Sequence, residues 1–231
     1  MTSSAPARAN PGRTAPEANG PAGLRVLLKK SPAFSLIELL VVISIIGILS
    51  AAAIGGLSNV ARSSNLTSAA QRLGDQFALA RQTAVARNLP VEVRIYKLPD
   101  FDSTTGGATL WRGLQLFIKD GTNDVPASRP LFFPQRVIIS ENAQASPLLI
   151  GLGTELTPPS NVGAFTAANV RYKSFTIRPN GTVTATSSIP DANWFLTVHH
   201  ENDAKPDSIK PANFATVQIN PVTSKVTILR P

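Results

Sequence analysis

The 231-residue chain is long enough for one modest domain with a core, and it has no cysteine, so disulfides, zinc–thiolate sites and cysteine nucleophiles are excluded. Its formal charge is +8. In residues 1–33, however, Arg8, Arg13, Arg25, Lys29 and Lys30 stand against Glu17 alone, so half the excess lies in a short leader. A basic balance placed this way does not mark the whole protein as a nucleic-acid binder.

The leader opens with residues 1–23, rich in Pro, Ala, Gly, Ser and Asn and almost free of large apolar side chains. Such a segment cannot bury enough surface to offset its ordering entropy, so residues 1–33 are expected to be a disordered, basic leader. From Phe34 to Ile54 the chain is apolar or small except for Glu38. About 20 residues suffice to cross a hydrocarbon layer of about 30 Å, and a core helix of that length would carry a polar stripe. Residues 34–56 are therefore expected to form a single transmembrane helix. Arg25, Lys29 and Lys30 precede it closely, while the next basic residue is Arg62. The positive-inside rule places the amino terminus in the cytoplasm and the remainder across the inner membrane, in the periplasm. A secretory signal peptide cut near Ser50-Ala51-Ala52-Ala53 is the competing reading, and the charge at Glu38 argues against it.

A carboxylate inside a membrane segment costs about 2.5–3.5 kcal/mol, so it usually has a partner and a task. Snorkelling to the headgroups is one account of Glu38. The other comes from the string "FSLIELLVVISIIGIL", preceded by basic residues, which resembles the type IV prepilin signature. The resemblance implies cleavage by a prepilin peptidase between Ala33 and Phe34 and N-methylation of Phe34. It also implies a filament-assembly role for Glu38, which would neutralise a terminal amine. A buried carboxylate and a buried ammonium are each unfavourable alone, and paired across subunits they compensate and fix axial register. Ala33 stands where the family usually has glycine; small size is kept, and slower cleavage is implied.

From residue 57 the pattern becomes amphipathic. Leu66, Ala70, Leu73, Phe77, Ala80 and Ala84 recur at spacings of three or four, with Arg62, Arg72, Asp75, Gln76 and Arg87 off the stripe. Asn88 and Pro90 end the run. Residues 57–89 are thus expected to be an amphipathic periplasmic helix, and Phe34 to Arg87 one helix of about 80 Å. Gly55 and Gly56 fall between its halves, each costing about 1 kcal/mol relative to alanine. They read equally as a point of helix flexibility or as a place for close helix approach. Where major pilins carry a proline, this chain has Gly55.

Beyond Pro90 the period switches to two. "VEVRIYK" alternates as a half-buried strand, and 113–119, 131–139, 170–178, 181–186, 193–200, 213–219 and 225–230 are further strand candidates. Arg178-Pro179-Asn180-Gly181 reads as a tight hairpin and 220–224 as a longer turn, with loops at 98–109, 120–130 and 153–168. The expected fold class is α+β and pilin-like. A long amino-terminal helix, transmembrane in its first half, packs on a carboxy-terminal antiparallel sheet at 90–231, and the 66–84 stripe is its cover.

The segments "ALARQTAVARNLPVEVRIY", "FTIRPNGTV" and "VQINPVTSKVTILRP" resemble the H-class minor pseudopilins of type II secretion and their FimT-type relatives, and within that grouping the Verru_Chthon cassette protein D type. The resemblance implies a structural subunit that assembles into, initiates or caps a type II secretion or type IV pilus-like filament. Its partners would be other pilin subunits, the prepilin peptidase and the inner-membrane assembly platform. The alternative is a minor-pilin tip module engaging DNA or an exported protein. In the closing turn Ser224 stands where glycine is usual, which calls for a turn without positive φ.

No site for an enzyme emerges, and no cofactor or metal is expected. His199 and His200 are adjacent on a strand, so their rings point to opposite faces. The acidic stretches 119–124 and 201–207 do not match a Ca²⁺-loop register and read as polar turns. Arg171, Lys173 and Phe175 share one strand face, which reads as solvated before it reads as a DNA platform. Nucleic acid is not expected as a partner.

Overall fold

The computed structural model describes residues 34–99, 108–134, 136–203, 211 and 213–230, with 52–59 described in backbone alone. The leader at 1–33, including Ala33, lies outside the described residues, as does 204–210 of the second acidic stretch. The chain divides into two compact units, residues 1–48 and residues 49–231, the head.

Helix α1 is assigned over Leu36–Arg87. It ends where Asn88 takes a left-handed φ of 51° and its N–H donates to the Val85 carbonyl at 3.3 Å. Asparagine tolerates that cap conformation, and Pro90 bars continuation. In the head, Leu66, Ala70, Leu73, Phe77, Ala80 and Ala84 are each no more than 1% exposed, as the spacing predicts. Among the described residues no helix is long and apolar enough to cross a membrane. The fully described part of the apolar run stops at residue 51.

The strands are β1 (Val91–Leu98), β2 (Leu110–Asp120), β3 (Asn123–Pro126), β4 (Leu131–Phe132), β5 (Val137–Ile139), β6 (Arg171–Ile177), β7 (Val183–Ala185), β8 (Phe195–His200), β9 (Phe214–Ile219) and β10 (Val226–Leu229). They form two antiparallel sheets where a single one is expected from sequence. One has the order β3-β2-β1-β6-β7, with β4 also on β2; the other has the order β10-β9-β8-β5. The candidate strand 131–139 is split, because Pro134 interrupts it and its two ends pair in different sheets. The loop at 120–130 contains β3, and a short helix α2 (Pro147–Gly151) lies where no element is expected.

The α1 stripe, Val91, Val93 and Ile95 of β1, Phe175 and Ile177 of β6, and Leu196, Val198 and Val217 of the second sheet share one apolar core. Phe77 stands edge-on to Phe175 with ring centroids 5.5 Å apart. Gly74 lets β10 approach the helix: a Cβ there would meet Ile228 Cδ1 at 3.2 Å.

The other face of β1 is also buried, which corrects the half-buried reading. Tyr96, Leu98, Phe117, Phe165, Val170 and Tyr172 form a second cluster beneath the 153–169 segment. That segment is fastened by an Ala164 N–H bond to Gln115 Oε1 at 3.0 Å and by the Leu156–Tyr172 bridge. Gly163, at φ +84°, is required there, since a Cβ would stand 2.7 Å from the Phe117 ring.

The two hairpin turns differ in how they meet their geometry. In the first, Gly181 has φ +84° and donates to the Arg178 carbonyl at 2.9 Å, as the Asn-Gly pair leads one to expect. In the second, Ser224 adopts φ 49°, contrary to the expectation of a turn without positive φ. It is held there by its N–H bond to the Asn220 carbonyl at 2.7 Å, while Asn220 Oδ1 accepts from Val222 and Thr223. A left-handed non-glycine residue costs about 1–2 kcal/mol, against about 0.5–1 kcal/mol for the extra entropy of glycine. Ser224→Gly is therefore expected to raise the urea midpoint by the equivalent of up to about 1 kcal/mol. A lower midpoint would mean that the Ser224 hydroxyl bond to Thr223 outweighs the strain.

Candidate functional site

Residues 34–49 place large apolar side chains in the open. Leu36 is 82% exposed, Ile48 71% and Phe34 70%. An apolar surface of that extent is covered in use, by lipid or by other protein. The Ser44 hydroxyl in this stretch is satisfied within the helix, donating to the Leu40 carbonyl at 2.8 Å. Glu38 sits in the first turn of α1, where the helix dipole favours a negative charge, and it has no ion-pair partner among the described residues. Of the expected assembly residues, Phe34 and Glu38 thus lie on one exposed apolar helix end. Gly55 and Gly56 are helical in backbone.

The head holds polar clusters that alternation alone would have placed in solvent. Arg94 is 2% exposed, and its Nε and Nη2 donate to Glu92 Oε2 at 2.9 and 2.7 Å. It also bonds Asp124 of β3, and its guanidinium lies 4.2 Å from the Phe117 ring centre and 4.9 Å from that of Tyr172. Lys119 completes the group, 2.6 Å from Asp124 and 3.5 Å from Glu92. Burial works against the Asp124 carboxylate, but the bonds from Lys119 and Arg94 outweigh it and hold its pKa below the usual range. Of the two carboxylates in the first acidic stretch, Asp124 is therefore engaged by cations of its own chain, and Asp120 is exposed at the end of β2.

On the same sheet Lys97 bridges Glu141 and Glu155 at 2.6 and 3.2 Å, and Trp111 Nε1 donates to Glu141 at 2.6 Å. Lys173 is 8% exposed and donates to the Leu149 carbonyl at 3.1 Å. Lys173 and Phe175 on this face are thus covered by the protein itself, which corrects the solvated reading for them, while Arg171 is half-buried and donates to the Ala168 and Val170 carbonyls. These clusters tie loops to sheets, and they hold no group of three or more metal-ligating side chains among the described residues.

His199 and His200 are packed. His199 Nδ1 donates to the His200 carbonyl at 2.9 Å, and His200 Nδ1 accepts the Asn202 N–H at 3.2 Å. Burial lowers both pKa values, and for His200 the arginines 62 and 136 add to it. Unfolded histidine, with a pKa of about 6.5, then takes a proton before the folded state does, so stability is whole above that value and declines as pH falls toward the folded pKa. The urea midpoint is expected to drop between pH 7.5 and pH 5, by up to about 1.4 kcal/mol per pH unit for each histidine. Equal midpoints would mean that both rings charge freely within the fold.

A family model described as the prokaryotic N-terminal methylation motif matches residues 28–54. No curated protein and no solved structure matches the chain. The matched stretch is the signal of a type IV prepilin-like protein, and it covers the exposed apolar helix end just described. The motif supports a type IV pilin- or pseudopilin-like subunit and suggests a membrane anchor, and it implies association with other pilin subunits and with the prepilin peptidase.

Proposed function

We propose that this protein is a minor pilin- or pseudopilin-like subunit that joins, initiates or caps a short filament of the type II secretion or type IV pilus kind. In this reading the peptidase cuts between Ala33 and Phe34, Phe34 is N-methylated, and residues 34–56 span the inner membrane once. The amino terminus stays cytoplasmic and residues 57–231 stand in the periplasm. The assembly platform then draws the exposed helix out of lipid into a bundle of like helices. The observation that carries the reading is one carboxylate, Glu38, on an otherwise apolar and exposed helix end within the methylation motif. In the bundle it meets the terminal amine of a neighbour. Kinship with the H-class and FimT-type subunits, and with the Verru_Chthon cassette type, rests on the segments quoted above, and Gly55 and Gly56 supply flexibility between the two environments.

Glu38→Val tests this. Insertion is expected to persist or improve, since about 2.5–3.5 kcal/mol of burial cost is removed. Co-purification with filament partners should fall severalfold, and mass spectrometry of the wild-type chain should find N-methyl-Phe34 first. Undiminished co-assembly would reject the pairing role, and a terminus after Ala51–Ala53 would return the chain to the signal-peptide reading.

A further inference from the structure

We propose that Arg62, Arg136 and Arg230 form a basic rim at the base of the head that docks on anionic phospholipid headgroups of the leaflet from which the chain emerges. The proposal rests on the membrane-anchored reading above.

The three guanidiniums are exposed and have no ion-pair partner among the described residues. Arg62 lies on α1, and Arg230 bonds the turn that follows it. Arg230 donates to the Ser63 hydroxyl at 2.7 Å and carbonyl at 3.4 Å, to Asn213 Oδ1 at 3.4 Å, and to the Thr67 hydroxyl. Its acceptors are all neutral, so its charge is held in place without being cancelled. Arg136 precedes β5, and its carbonyl accepts the Glu201 N–H at 2.7 Å, beside His200. Val137, which follows Arg136, pairs with His200, and Arg62 and Arg136 both bear electrostatically on the His200 ring. The acids nearby are Asp203, which also acts on His200, and Glu201, which lies 3.6 Å from Arg112.

Position along the chain supplies the second argument. Arg62 is the first charged residue after Glu38. At 1.5 Å per residue it stands about 9 Å beyond residue 56, where the expected span ends, and the headgroup layer of one leaflet is about 5–7 Å thick. Arg62 thus falls at its outer edge, within side-chain reach of the phosphates. Apolar side chains accompany the rim: Val60 is 68% exposed and Leu229 51%. Cations alternating with exposed aliphatic groups suit an interface where the heads meet phosphate and the side chains dip toward the acyl boundary. Arginine presents its donors in a fork that fits phosphate oxygens.

The test uses the full chain in liposomes of phosphatidylcholine, alone or with one third phosphatidylglycerol. Because the chain has no cysteine, Asn202→Cys carries a single dye beside the rim, and energy transfer to a headgroup-labelled lipid reports docking. Transfer should be higher in anionic liposomes and should fall in high salt. Arg62→Gln with Arg136→Gln should lower the docked-to-free ratio by about fivefold per arginine, while leaving the Arg230 bonds in place. Equal transfer in the two lipids would overturn the proposal. So would protection of the rim that arises only in assembled filaments, which would assign these arginines to a neighbouring subunit. Failure of the chain to float with either liposome would instead overturn the membrane-anchored reading.

Discussion

Arg94→Met is expected to lower the stability of the head by about 3–5 kcal/mol, the range for removing one member of a buried ion pair. The methionine retains much of the volume between Phe117 and Tyr172, so lost packing accounts for the smaller part. The larger part comes from buried Glu92 and half-buried Asp124, which would share Lys119 as their one cation among the described residues. A second change should recover much of the loss, because Glu92→Gln with Arg94→Met leaves one cation and one anion. Replacing a whole buried network by neutral groups is often close to neutral, whereas breaking it is not. Acid titration gives an independent readout. Asp124 has a depressed pKa in the fold, so its contribution is present above the ordinary carboxylate value of about 3.9 and is lost as pH falls through the folded pKa. That acid limb should be shallower in Arg94→Met. A single variant within 1 kcal/mol of the wild type in urea would show that the cluster is solvated rather than sealed.

The same cluster marks where sequence reasoning reaches its limit. Alternation in Val91–Leu98 correctly assigns Val91, Val93 and Ile95 to the helix-facing core. It assigns Glu92, Arg94 and Tyr96 to solvent, because period-two patterning assumes one wet face. What covers that face is a segment some 60–75 residues downstream in the chain, and no local pattern announces it. β3 was illegible for a related reason: three of its residues, Asn123, Asp124 and Pro126, are poor strand formers, and pairing with β2 makes the segment a strand. The split of 131–139 did leave a signal in Pro134. Division into two sheets left none, since both consist of short antiparallel strands separated by turns. The N-terminal methylation motif was the most legible feature, because one charge in a long apolar run is conspicuous in sequence and the helix around it is local. The basic rim was the least, since Arg62, Arg136 and Arg230 meet only through the fold.

Phe77→Ala is expected to lower head stability by about 3–5 kcal/mol, the usual toll of emptying a fully buried aromatic site. Phe77 is 0% exposed and stands in a row of rings, 5.5 Å from Phe175, which in turn stands 6.2 Å from Trp194 before β8. The row runs from helix through the first sheet to the start of the second, so its first member is where the cover grips both. Alanine has the better helix propensity by about 0.5 kcal/mol, which works against the loss and is too small to reverse it. Phe77→Leu, which keeps most of the volume, should lose less than about 1.5 kcal/mol. That contrast separates packing from propensity, because leucine and alanine are both good helix formers and alanine leaves by far the larger cavity. Urea unfolding of a version beginning at residue 57 measures both variants without the membrane segment. Should Phe77→Ala melt with the wild type, the stripe from Leu66 to Ala84 would not be what holds helix and sheets together. The short contact at Gly74, where β10 rides over the helix, would then be the next place to look.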